Sequence, residues 1–163
     1  MDALTEAEPL VLQLGDALRG RNWRMATAES CTGGLIAAAC TAVAGSSDWF
    51  ERGFVTYSNR AKIELIGVPM PVLDAHGAVS EETARAMAAG ALKFAPVDVA
   101  VAVTGIAGPG GAVPGKPVGT VWLAWATKAG VQTELLQLPG DRSAVRKATV
   151  LRALQRVLQA ARE

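Results

Sequence analysis

Three side chains of this sequence could combine into acyl-transfer chemistry: Ser30, Lys62 and the only tyrosine, Tyr57. Ser30 stands in the stretch Glu29 to Gly34 (ESCTGG), directly ahead of an Ala-rich run that suits a tightly packed helix. A hydroxyl in a tight turn before a helix has the logic of a nucleophile elbow, although G-x-S-x-G is absent. Backbone N–H groups at such a helix start point outward and carry partial positive charge. Those of Thr32, Gly33 and Gly34 could therefore hold an anion or an oxyanion. Capping the helix is the plainer role for Ser30 or Thr32. A serine nucleophile also needs a base. The single histidine, His76, lies in a Pro-containing stretch and makes no compelling Ser-His-Asp set. Lysine takes that role when burial or a neighbouring cation depresses its pKa. Lys62, early in a helix that follows a strand, is the best-placed candidate, and the Tyr57 hydroxyl could orient it or share its proton. An exposed helix charge and a half-buried strand aromatic are the ordinary alternatives for this pair. Ser58 and Lys62 are four apart, so S-x-x-K is not present. Cys31 is a rival nucleophile, though a small buried thiol is the commoner fate.

A second unusual segment runs from Thr104 to Gly111 (TGIAGPGG). Gly105 and Gly108 would let backbone approach a ligand closely, and the N–H groups from Thr104 onward could cradle a phosphate. The segment fits neither the Walker pattern nor G-x-G-x-x-G, so neither ATP nor a dinucleotide is implied. A generic glycine-rich connection is the alternative.

These residues need elements to position them. Leu10, Leu14, Ala17 and Leu18 at helical spacing predict an amphipathic helix over 4–19. A short strand over 23–28 runs into the Ser30 turn, and a helix over 35–44 follows it. Residues 49–57 read as a strand, and Asn59 as the cap of a helix over 60–66. Pro69 and Pro71 make 67–77 a loop. Ser80 caps a helix reaching Phe94, with Glu81 and Glu82 in its first turn. Residues 97–103 (VDVAVAV) look like a strand buried on both faces of a parallel sheet. Strands over 118–127 and 131–138 should pair antiparallel across Lys128-Ala129-Gly130, with the glycine left-handed. Asp141 caps a final helix with Val145, Ala148, Leu151, Leu154, Leu158 and Ala161 on one face. The order predicts a single domain over 1–163, an α/β fold: a three-layer α/β/α sandwich on a mixed, mostly parallel five-stranded sheet. In such sheets sites form beyond the carboxyl ends of the parallel strands, where the Ser30 turn, the segment 57–62 and the loop 104–111 would meet.

Composition narrows the function classes. The chain has 163 residues, half of them apolar, and a formal net charge of +1. That balance gives no electrostatic case for nucleic acid or an anionic membrane. Arg142, Arg146, Lys147 and Arg152 cluster mildly, as a solvated helix face would. The opening MDALTEAEP lacks a secretory pattern, and no apolar run approaches a membrane span, so the expected location is cytoplasmic. Cys31 and Cys40 on a helical segment lie too far apart for a disulfide, and with one histidine they match no usual zinc spacing. No metal and no cofactor are implied. Apolar two-sided strands and Ala-rich helices would permit a homodimer or another homo-oligomer.

Taken together, 27–34 (TAESCTGG), 55–59 (VTYSN) with Lys62, 103–111 (VTGIAGPGG), 117–121 (PVGTV) and 140–142 (GDR) resemble the CinA C-terminal domain family. The resemblance runs from about Leu10 to Leu158 with the motifs in order. It implies a nicotinamide-nucleotide amidohydrolase, which hydrolyses nicotinamide mononucleotide (NMN) to nicotinic acid mononucleotide and ammonia. The family's nucleophilic serine falls on Ser30, its lysine on Lys62 and its tyrosine on Tyr57. Arg142 then becomes the expected charged partner of the substrate phosphate, beside the backbone of 104–111. Two other readings stay open: a catalytically silent nucleotide-binding or regulatory module of the competence/damage-inducible type, and a hydrolase of another nucleotide amide or ester.

Overall fold

The computed structural model describes all residues from Met1 to Glu163. Five strands form one sheet: β1 (Met25–Glu29), β2 (Phe50–Val55), β3 (Val99–Gly105), β4 (Thr120–Thr127) and β5 (Gly130–Gln137), in the order β2-β1-β3-β4-β5. β1 pairs parallel with both β2 and β3, whereas β4 runs antiparallel to both β3 and β5. Only β4 therefore opposes the common direction, which reconciles a mostly parallel sheet with a terminal hairpin. Helices α1 (Ala3–Arg21), α2 (Leu35–Thr41) and α6 (Arg142–Arg162) pack together on one face. Helix α5 (Glu81–Phe94), with α3 (Asn59–Ile66) and α4 (Met70–His76), covers the other. No helix is long and apolar enough to cross a membrane.

The all-apolar central strands hide a period of two. Val99, Val101 and Val103 of β3, with Val121, Leu123 and Trp125 of β4, enter the core beneath α1 and α6. Ala100 and Ala102, with Ala124 and Ala126, face α5. Small side chains on that face let the helix sit close. Gly90 of α5 extends the same logic, because a Cβ there would collide with the carbonyl oxygen of Ile66 at the end of α3.

Local differences from the sequence expectation have identifiable causes. Residues 67–77 include α4, because Pro71 falls in the helix's first turn, where the missing N–H has no intrahelical acceptor to lose. The cap of α3 is Ser58, whose Oγ accepts from the Ala61 N–H at 3.0 Å, so Asn59 is the first helical residue. The β4–β5 turn is Lys128-Ala129 alone: Gly130 already pairs with Thr127, at φ +135° rather than in the left-handed helical well. In α6 the face against the core carries Val145, Thr149, Val150, Ala153, Leu154, Val157 and Leu158, with Ala148 and Leu151 only half-buried at its border.

Candidate active site

β1 ends at Glu29, and Ser30 continues its ladder by donating its N–H to the Val103 carbonyl at 3.1 Å. The chain then turns through Cys31–Gly34 into α2. Gly33 and Gly34 have φ of +61° and +104°, which a side chain would strain, and Gly34 supplies no capping group. The cap comes instead from Glu29. Its buried carboxylate accepts from the N–H groups of Ile36 at 2.9 Å and Ala37 at 3.0 Å, and from the Thr32 hydroxyl at 2.5 Å. Neither Ser30 nor Thr32 caps the helix, so the plainer role for Ser30 falls away.

The second arm of the site leaves β2. Thr56 donates its N–H to the Glu29 carbonyl at 2.8 Å, setting this arm beside the serine turn. Ser58 then starts α3, whose first turn carries Lys62 inward. The lysine is fully buried, with Nζ 3.0 Å from Ser30 Oγ, 2.7 Å from the Thr56 carbonyl oxygen and 3.4 Å from that of Tyr57. Burial pushes its pKa down to about 8. The carbonyls can only accept. A neutral amine has two hydrogens for them and one lone pair left for the Ser30 hydroxyl, which is the arrangement of a general base.

Ser30, Cys31, Tyr57, Lys62, Ala78, Val79, Thr104, Gly105, Ala107 and Arg142 line one cavity of about 190 Å³. Three segments that the sequence placed at the strand ends thus meet there. Their roles differ in detail from the expectation. The Tyr57 hydroxyl does not reach Lys62; the side chain is largely exposed and its hydroxyl accepts from Arg142 Nη2 at 3.3 Å, while its backbone carbonyl faces the lysine. The exposed Arg142 opens α6 and also donates Nη1 to the Gly108 carbonyl at 2.9 Å, so Gly108 anchors the arginine. Thr32 turns its hydroxyl away to Glu29, and the Gly33 N–H donates to the Ser30 carbonyl at 3.0 Å. The N–H groups of Cys31, Thr32 and Gly34 have no acceptor within the fold. Thr104, the penultimate residue of β3, is almost fully buried, its hydroxyl donating to the Ala78 carbonyl at 2.7 Å. Only its lone pairs remain for a ligand.

Cys31 makes a poor rival nucleophile, because burial pushes its thiol up to about 11. His76 faces Glu82 on the α4 side of the molecule, Nδ1 to Oε1 3.6 Å, and lines no part of the cavity. No three His, Cys, Asp or Glu side chains come together as a metal set.

Two contributors carry no recognisable signal in the sequence. Glu29 has no periodicity or spacing signal as a capping carboxylate, since it caps a helix across a turn from a strand. The basic cluster looks in sequence like a solvated face, yet Arg146 Nη2 donates to the Thr32 carbonyl at 3.0 Å, and Arg152, with Arg156, clasps Glu134 of β5. A long side chain at the rim of a buried helix looks the same in sequence whether it meets water or a carbonyl.

Residues 7–161 match the family model described as the CinA C-terminal domain. A nicotinamide-nucleotide amidohydrolase PncC of Escherichia coli strain K12 is 52% identical over 159 residues, covering 96% of each chain. A CinA-like protein of Akkermansia muciniphila is 56% identical over 147 residues, but there the chain spans only 36% of the relative's length. Among solved structures, the competence/damage inducible protein CihA from Agrobacterium tumefaciens superposes with a TM-score of 0.93 at 44% identity, over 100% of this chain and 98% of that one. The chain belongs to the CinA C-terminal domain family.

Proposed function

We propose that this protein is a serine amidohydrolase that converts NMN and water to nicotinic acid mononucleotide and ammonia. The observation that carries the reading is the buried Lys62 amine, 3.0 Å from Ser30 Oγ. Relatives of similar length carry the name nicotinamide-nucleotide amidohydrolase, which supplies the substrate class.

Neutral Lys62 takes the Ser30 proton as Oγ attacks the carboxamide carbon. The oxyanion falls to the unpartnered N–H groups of the turn, those of Cys31, Thr32 and Gly34, since in α2 the Leu35 N–H donates to the Thr32 carbonyl and Glu29 occupies those of Ile36 and Ala37. The Thr104 lone pairs accept from the substrate's NH₂ group, and Lys62 returns the proton to the departing nitrogen. The product carboxylate carries no such donor, so the same threonine disfavours it. Water, activated by the same lysine, then hydrolyses the acyl-enzyme.

The small cavity suits the pyridine carboxamide. It shares Arg142 and Ala107 with an open groove of about 470 Å³ that also involves Pro109, Val118, Gly140, Asp141 and Ser143. Ribose and phosphate would lie there with Arg142 beside the phosphate. The test is ammonia release from NMN by the purified protein and by folded Ser30→Ala and Lys62→Ala variants. Release by the parent, lost in both variants, is the expected result. A folded parent that binds NMN without releasing ammonia would instead make it the silent nucleotide-binding module. Light scattering on the same preparations tests the homodimer or other homo-oligomer expected from sequence, which should show twice the chain mass or a higher multiple.

A further inference from the structure

We propose that Glu29 is a positioning residue for the serine, acting through Thr32; the inference rests on the Ser30 nucleophile reading above. Glu29 is the point at which the two arms of the site meet. Its backbone carbonyl accepts from the Thr56 N–H, which fixes the arm carrying Lys62. Its side chain, 1% exposed, reaches forward across the nucleophile's own turn to hold α2 at Ile36 and Ala37 and the turn at the Thr32 hydroxyl.

All three bonds to that carboxylate come from donors, two N–H groups and one O–H. An acceptor-only group is therefore matched to its surroundings, and an amide in its place would set NH₂ against a donor. Thr32 is held on its other side as well, where Arg146 of α6 donates to its carbonyl. With hydroxyl and carbonyl both tied, the peptide groups flanking Thr32 have one orientation. Of their two N–H groups, that of Thr32 is among the unpartnered donors of the turn and that of Gly33 donates to the Ser30 carbonyl, and Ser30 Oγ lies two residues before Thr32, 3.0 Å from the base. Glu29 thus sets the distance on which proton transfer depends and the direction of the oxyanion donors, without itself touching the substrate. Misplacing reacting groups by about 1 Å costs on the order of 100-fold in rate.

The experiment measures kcat and KM for ammonia release from NMN in the parent, Ser30→Ala, Glu29→Gln, Thr32→Val and Thr32→Ser, with folding checked by circular dichroism. It also measures the labelling rate of Ser30 by a small fluorophosphonate, which reports the reactivity of the hydroxyl without nucleotide binding. The expected result is that kcat and labelling both fall about 10- to 100-fold in Glu29→Gln and Thr32→Val. KM should stay within about twofold, and Thr32→Ser should restore parental kcat by keeping the hydroxyl. Thr32→Val deletes a single bond and keeps the test open if Glu29→Gln does not fold. Parental kcat and labelling in folded Thr32→Val would overturn the inference, as would a loss of activity no greater than the lost folded fraction. A parent whose ammonia release persists in Ser30→Ala would instead overturn the nucleophile reading, so the two failures are separable.

Discussion

In the proposed mechanism the chemistry turns on whether one lysine is neutral. Desolvation lowers the Lys62 pKa to about 8, and its two carbonyl neighbours accept hydrogen bonds whether the amine is charged or not. At pH 7 roughly one-tenth of the protein then holds the base form, by the ordinary titration relation. The kcat/KM for NMN should rise about tenfold per pH unit below 8 and level off above it, as a pH–rate profile of ammonia release will show. Lys62→Arg keeps the charge but cannot surrender its proton, so activity should fall by about 10³-fold or more with no gain on raising the pH. Thr104 is the specificity residue of the same proposal. Because its hydrogen is committed to the Ala78 carbonyl, Thr104→Val removes the acceptor for the leaving NH₂ group and strands that carbonyl. A drop of about 10- to 100-fold in kcat/KM is expected, with Thr104→Ser close to the parent.

At the scale of elements, the site is only as precise as the contact between α5 and α3. Gly90 lies against the Ile66 carbonyl, and Ile66 ends the helix whose first turn holds Lys62. Gly90→Ala should therefore cost about 1–3 kcal/mol in urea unfolding and lower kcat in the fraction that remains folded. Much of this arrangement is legible in the sequence. The strand–turn–helix at Ser30, the capped helix at Ser80 and the glycine-rich exit from β3 all announce themselves through local residue chemistry. What is not legible is where long polar side chains end. Tyr57 meets Arg142, distant by 85 positions in sequence, and Arg146 reaches Thr32 across 114. Contacts of that kind depend on how layers stack, which no local pattern encodes. The helix α4 was missed for the opposite reason, since two prolines signal a break even where the first turn accommodates one.

The whole molecule presents a narrow cavity at the carboxyl ends of β1 and β3, opening into a groove at the start of α6. With a net charge of only +1, the protein has little long-range field to gather an anionic nucleotide. Recognition of the phosphate should be local, and Arg142 is the cation shared by cavity and groove. Arg142→Ala is expected to raise KM for NMN by about 10-fold or more, and nicotinamide riboside, which lacks the phosphate, should be insensitive to the same change. The most direct test of the central claim is peptide mapping by mass spectrometry after rapid acid quench of the protein turning over saturating NMN. The account predicts an acyl adduct on Ser30 that is missing from Ser30→Ala, together with loss of ammonia release. An adduct on Cys31, or parental ammonia release from Ser30→Ala, would contradict it.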